Sequence, residues 1–75
     1  MDNTFTTRDL YLASALLTKG QSLVGSDTDK TIVYFIFANK QECLKLSHEY
    51  EFGKLLVNAR DYRDQMSRLK NLVFS

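Results

Sequence analysis

The stretch Thr31-Ile32-Val33-Tyr34-Phe35-Ile36-Phe37 decides the fold, because it is the strongest β-strand signal in the chain. Its residues are all β-branched or aromatic, the types that are enriched in strands. Side chains alternate along a strand, and both resulting faces are apolar: Thr31, Val33, Phe35 and Phe37 on one, Ile32, Tyr34 and Ile36 on the other. A strand of this kind needs cover on both sides.

A second strand is predicted directly before it, over Gln21 to Ser26. The polar residues Asp27-Thr28-Asp29-Lys30 between the two strands favour a hairpin turn. Because a two-stranded ribbon is only marginally stable alone, a third strand is expected. The short apolar run Leu55-Leu56-Val57 between Gly53 and Asn58 is the candidate for it.

Three capping-box signals predict helices around this hairpin: Thr6-x-x-Asp9, Asn39-x-x-Glu42 and Asn58-x-x-Asp61. The first helix is expected over about residues 7–19, with Gly20 as its left-handed C-terminal cap. It is apolar almost all the way round, which indicates cover on more than one side. The second helix is expected to end at Gly53, and the third to run almost to the C-terminus.

These elements predict one α+β domain over residues 1–75, in the order α-β-β-α-(β)-α. An antiparallel hairpin or three-stranded sheet would pack with about three helices. The chain is 44% hydrophobic and 25% charged, the balance of an ordinary globular protein. Its net charge of +1 gives no general electrostatic attraction to nucleic acid or to an anionic membrane.

The single cysteine and the absence of a signal-like or bilayer-length apolar segment lead us to expect a cytoplasmic protein with no membrane association.

The segment Phe5-Thr6-Thr7-Arg8-Asp9-Leu10-Tyr11-Leu12-Ala13 resembles the start of an uncharacterised family of short bacterial and mobile-element proteins. Further similarity is found at Gly20, Tyr34-Phe35-Ile36-Phe37, Leu46, Tyr50, Val57 and Leu69-Lys70. The resemblance implies a small α+β protein of prokaryotic or phage origin, and it carries no catalytic motif.

Catalysis would have to involve Cys43 and His48, the side chains most easily tuned near neutral pH. Five residues apart on a helix, they point in directions about 140° apart and cannot converge on one substrate. Asp61 and Asp64 fit a helix cap and surface ion pairs. No phosphate loop or structural zinc spacing occurs, so we expect no enzyme, no cofactor and no metal.

Protein binding is the predicted function, because the chain has more apolar surface than three short helices can plainly cover. The predicted interface residues are Tyr11, Leu12, Ile32, Tyr34 and Ile36. A homodimer is the preferred hypothesis, since it would enlarge a small core, and a host protein is the other possible partner. Either would make the chain a non-enzymatic interaction module that acts by stoichiometric contact.

Nucleic-acid binding or transcriptional regulation is the alternative. It would use one flank of the third helix, formed by Arg60, Arg63 and Lys70 with Phe74 nearby. Basic side chains could follow a phosphate backbone while the aromatic ring stacks on a base. The competing interpretation is that Arg63 and Lys70 lay their stems over the core and keep only their charges in water.

Overall fold

The computed structural model describes residues 3–74, and for Phe74 it describes the backbone only. The elements, in chain order, are β1 (Phe5–Thr7), α1 (Leu10–Thr18), β2 (Leu23–Asp29), β3 (Ile32–Phe37), α2 (Lys40–Glu51) and α3 (Ala59–Phe74). The strands form one antiparallel sheet in the order β1-β3-β2, with β3 in the centre. The predicted α+β class, with a three-stranded antiparallel sheet and three helices, is confirmed.

The third strand lies at the start of the described chain. Phe5 pairs with Phe37 and Thr7 with Phe35, so β1 occupies one side of β3. The candidate Leu55-Leu56-Val57 is not a strand: Leu55 packs against the core from a loop, and Leu56 is 81% exposed. A pairing between segments about 30 residues apart leaves no local pattern, and for this reason periodicity pointed to the wrong segment.

The hairpin is longer than predicted. Asp27 and Thr28 belong to β2 and pair with Tyr34 and Val33, and the turn is formed by residues 30–31. Lys30 has a φ of 58°, the left-handed backbone that a two-residue hairpin turn requires. Polar residues are tolerated in β2 because it is an edge strand whose end projects into solvent.

The predicted N-cap residues of α2 and α3 are confirmed, but among residues 3–74 the returning carboxylate bond of a capping box is not formed at either one. The Asn39 side chain accepts from the Glu42 N–H at 3.3 Å, and that of Asn58 accepts from the Arg60 and Asp61 N–H groups at 3.0 and 3.1 Å. For α1 the prediction was wrong, because Thr6 lies in β1 and Asp9 is the N-cap. The Asp9 carboxylate accepts from the Tyr11 and Leu12 N–H groups.

The C-terminal caps of α1 and α2 share one form. Gly20 has a φ of 89°, as predicted for a left-handed cap, and Gly53, which was predicted to end the second helix, has a φ of 69°. The Gln21 N–H reaches back to the Leu16 carbonyl at 3.0 Å, and the Lys54 N–H reaches the Glu49 carbonyl at 2.8 Å. These are Schellman motifs, which satisfy helix-end carbonyls and turn the chain away from the axis.

All three helices pack on the face of the sheet that carries Phe35 and Phe37. The core consists of residues from β3 and from every helix: Leu12, Ala13, Leu16, Phe35, Phe37, Cys43, Leu46 and Leu69. Five consecutive residues of α1, Leu12 to Leu16, are buried. The predicted cover of α1 on more than one side is therefore supplied within a single chain.

Candidate protein-binding surface

The face of the sheet opposite Phe35 and Phe37 carries an apolar row on its central strand. Alternation along β3 places Ile32, Tyr34 and Ile36 on this side. They are partly exposed, and they belong neither to the core nor to the side chains packed against it. Directly paired residues share a face, and so the same side carries the neighbours of this row: Thr6 from β1 and Gly25, Asp27 and Asp29 from β2. We call these seven residues the outer face.

The outer face is asymmetric in charge. Asp27 lies opposite Tyr34 and Asp29 opposite Ile32, so the β2 side of the apolar row is acidic. Thr6 and Gly25 flank Ile36 and leave the other end uncharged. This arrangement can bury apolar area against a partner and can orient that partner through two carboxylates.

The edges of the sheet are less suited to binding. β1 is three residues long, and a short edge offers few free backbone groups. β2 is longer, but its register shifts between Leu23 and Gly25, so that Val24 forms a bulge. A bulge together with Asp27 and Asp29 disfavours the addition of another strand.

The two predicted interface residues on α1 differ in their environments. Tyr11 is 55% exposed and lies on the surface. Leu12 is 5% exposed and belongs to the core, so its apolar side chain is already covered and no surface contact is available to it. The apolar character of α1 suggested an interface because sequence periodicity does not tell a helix buried in its own domain from one that binds a partner.

Residues of the predicted basic flank of α3 line two different cavities. Arg60 and Arg63 line a cavity of about 470 Å³ at the start of the helix. Arg63 also lies 3.9 Å from the Asp64 carboxylate in a solvent-exposed pair. Lys70 lines a different cavity together with Arg8. Nothing in the sequence indicated this pairing, because only tertiary packing brings the two residues together. The side chain of Phe74 lies outside the described residues.

Cys43 and His48 do not form a site. Cys43 is fully buried and its thiol lies 3.4 Å from the Ala38 carbonyl oxygen. Burial, followed by the neighbouring Glu42 carboxylate, raises the pKa of this thiol. His48 is exposed, and its ring makes an edge contact with Phe52 at 5.3 Å. Cys43 and His48 therefore cannot act together as nucleophile and base on one substrate.

Three tyrosines approach the N-terminus of α1, an arrangement with no local sequence signal. The Tyr62 hydroxyl donates to the Tyr11 carbonyl oxygen at 3.1 Å. Burial raises the pKa of Tyr62, with further contributions from Tyr50, Asp9 and Tyr11. Burial likewise raises the pKa of Tyr50, followed by the charges of Asp9 and Glu51. Burial therefore favours the neutral form of both phenols.

A cavity of about 730 Å³ lies between the end of α1, the start of β2 and the second half of α3. Its lining combines four leucines with polar residues: Leu17, Leu23, Leu69 and Leu72 with Gln21, Ser22, Arg68 and Asn71. The Arg68 guanidinium donates to the Gln65 side chain at 3.2 Å. Among the residues that the structure describes, the lining of this cavity contains no pair of side chains that could act as acid and base.

Residues 3–74 contain no cluster of three or more side chains that could hold a metal ion. No helix in this part of the chain is long and apolar enough to cross a bilayer.

Comparison with known proteins identifies the family. A family model described as a domain of unknown function, DUF5659, matches residues 2–75, nearly the whole chain, and the chain therefore belongs to this family. No curated protein and no solved structure matches the chain.

Proposed function

We propose that this DUF5659 domain is a non-enzymatic protein-binding module that acts by stoichiometric contact through its outer face. The observation that supports this function is the position of the helices. All three contribute to the core on the Phe35 and Phe37 side, so none covers the row Ile32, Tyr34 and Ile36. An antiparallel sheet covered on one side normally has polar residues on the other. The three apolar side chains at that position are what a binding partner would cover.

A second copy of the chain is the favoured partner. Helix α1 is already covered, and the edges of the sheet are protected by the shortness of β1 and by the bulge and acids of β2. The dimer that we favour packs two outer faces against each other, with the two sheets about 10 Å apart.

Charge selects between two arrangements of such a dimer. A two-fold axis parallel to β3 places the acidic β2 side of one copy over the β1 side of the other, which contributes no acidic residue to the outer face. A two-fold axis across the strands would place Asp27 and Asp29 of one copy against the same acids of the other, which is unfavourable. We therefore expect the first arrangement. A host protein bound at the same face would present basic residues to these two carboxylates.

The test compares two variants of matched chemistry. Ile32→Thr combined with Ile36→Thr keeps β-branched residues in the strand but lowers the apolar area of the outer face. Leu56→Thr changes a residue that is 81% exposed in the loop before α3, away from the sheet. Circular dichroism checks that both variants are folded.

The parent and Leu56→Thr should have twice the chain mass in light scattering, and their thermal midpoints should rise with protein concentration. The outer-face variant should be monomeric, with a midpoint independent of concentration. A parent that is monomeric across the micromolar range would overturn the homodimer. Dimers that persist in the outer-face variant would place the interface elsewhere.

Nucleic-acid binding is the second candidate, favoured by the common cavity lined by Arg60 and Arg63. Fluorescence anisotropy with labelled single-stranded and duplex oligonucleotides at 50 and 200 mM salt tests it. Binding that weakens with salt and is lost in Arg60→Gln combined with Arg63→Gln would support this candidate. An Arg68→Gln variant is the matched control on the same helix.

The origin and location of the protein form part of the proposal. The similarity of residues 5–13 to bacterial and mobile-element proteins favours a prokaryotic or phage source. The single cysteine is buried and unpaired, which is consistent with a reducing cytoplasm. Pull-down from such a host, with nuclease-treated controls, would tell a protein partner from nucleic acid.

A further inference from the structure

A second candidate site lies on the helix side of the sheet. A solvent-open cavity of about 230 Å³ is lined by residues from the start of α1 and the segment before it, the hairpin end of β3 and the last turns of α3. Its lining consists of apolar and cationic side chains together with one hydroxyl: Leu10, Val33, Phe35 and Val73, Arg8 and Lys70, and Thr31. Three segments distant in sequence therefore converge on one small space.

The two charges at this cavity have no ion-pair partner in the part of the chain that the structure describes. Arg8 and Lys70 are both exposed, and within residues 3–73 neither side chain has a carboxylate within ion-pair distance. Two like charges that line one cavity repel each other, and an anion between them would relieve that repulsion. The Arg8 guanidinium can also hold a carboxylate through two parallel hydrogen bonds.

The size and floor of the cavity limit what that anion can be. A volume of about 230 Å³ is below the roughly 300–1,000 Å³ of sites for drug-sized ligands, so the ligand is small. Leu10, Val33 and Val73 favour a short hydrocarbon group. Phe35 is only 2% exposed, and its ring cannot offer a stacking surface to a nucleobase.

We propose that this cavity binds a small monocarboxylate with a short hydrocarbon tail. Its carboxylate lies between Arg8 and Lys70, and its tail lies on Leu10, Val33 and Val73. This site is independent of the proposed protein-binding surface, because Val33 and Phe35 point to the side of the sheet opposite Ile32 and Tyr34.

The experiment is a titration of the isotope-labelled protein, followed by backbone amide NMR shifts at constant ionic strength. The probes are hexanoate, acetate, which lacks the tail, and 1-hexanol, which lacks the charge. Hexanoate should produce saturable shifts at Leu10, Val33 and Val73 and should bind more tightly than either control. Equal effects of the three probes, or shifts outside this cavity, would overturn the proposal.

Variants then test the two cations. Arg8→Gln and Lys70→Gln should each weaken hexanoate binding by about twofold to fivefold, the range for exposed charge pairs. Lys45→Gln, an exposed lysine of α2, should leave the affinity unchanged. Equal affinities in all three variants would overturn the assignment of the carboxylate position.

Two further outcomes are decisive. The Ile32→Thr and Ile36→Thr double variant should bind hexanoate like the parent, which separates this site from the dimer surface. A peptide with neighbouring acidic and apolar residues that binds the cavity more tightly than hexanoate would show that the occupant is a protein segment and would overturn the small-ligand proposal.

Discussion

The Tyr62 hydroxyl donates a hydrogen bond to the carbonyl oxygen of Tyr11, and this bond joins the first turn of α3 to the first turn of α1 across 51 residues of sequence. The donor is partly exposed and the acceptor belongs to an exposed residue. The bond therefore adds a directional contact to a helix pair whose main stabilisation is apolar burial.

Tyr62→Phe should remove this bond and keep the ring. We expect the free energy of unfolding to fall by about 0.5–1 kcal/mol, at the low end for a neutral hydrogen bond because water can reach the pair. Urea denaturation of the two proteins measures the difference. A variant with unchanged stability would show that water replaces the tyrosine hydroxyl without loss.

Stability should decrease at alkaline pH. Burial raises the pKa of Tyr50 and Tyr62 above the ordinary value of 10.0, so the folded state retains these protons at pH values where the unfolded chain releases them. The stabilisation is complete below about pH 10 and is lost as pH rises through the folded pKa values. Urea midpoints from pH 8 to 11 measure the decrease, which should be smaller in the Tyr50→Phe and Tyr62→Phe double variant. An equally steep decrease in that variant would assign it to other groups.

The two asparagine caps should respond differently to substitution. Asn58→Ala should cost about 1 kcal/mol, and Asn58→Gly only a few tenths. Asn39 has a φ of 61° as well as its capping bond, so Asn39→Ala should cost more than Asn58→Ala, because alanine adds left-handed strain. Asn39→Gly should recover most of that loss. Thermal denaturation gives the order, and equal costs for the two alanine variants would contradict the left-handed cap.

Leu69 and Leu72 provide a matched pair on α3. Leu69 is 2% exposed in the core, and Leu69→Ala should destabilise the protein by about 2–5 kcal/mol. Leu72 is 51% exposed, and Leu72→Ala should cost within about 1 kcal/mol. Chemical denaturation compares them, and similar losses would mean that α3 is rotated from the described position.

Cys43 should react with thiol reagents only when the protein unfolds. Its side chain is fully buried and burial raises its pKa, so little thiolate is present and access is blocked. Labelling with a chromogenic disulfide in increasing urea should follow the unfolding transition. Rapid labelling without denaturant would contradict the buried position.

We also expect Cys43→Ser and His48→Gln to leave any binding activity of a folded variant unchanged.

Local signals predicted the elements whose causes are local. The caps Asn39 and Asn58 and the turns at Gly20 and Gly53 depend on side chains and φ values within a few residues, and they were predicted correctly. The strand Ile32–Phe37 was also recognised, because its β-branched and aromatic composition is continuous. The division of its side chains between two faces follows from alternation alone.

Features that depend on tertiary contacts were not predicted. β1 exists because Phe5 and Thr7 find partners on β3, and nothing in a three-residue segment indicates that pairing. Leu12 was assigned to an interface because a buried helix and a binding helix have the same composition. The juxtaposition of Arg8 and Lys70 likewise depends on how α3 crosses the sheet.

The small size of β1 also determines how the protein would begin to aggregate. Only three residue pairs hold this strand to β3, whereas β2 is held by six. The amides of β1 should therefore exchange with solvent by local opening well before the rest of the sheet. Each opening uncovers the backbone of the most apolar strand in the molecule, to which another chain could add. The rate of aggregation below the unfolding temperature should thus depend on β1, and substitutions that tighten Phe5 against the core should slow it.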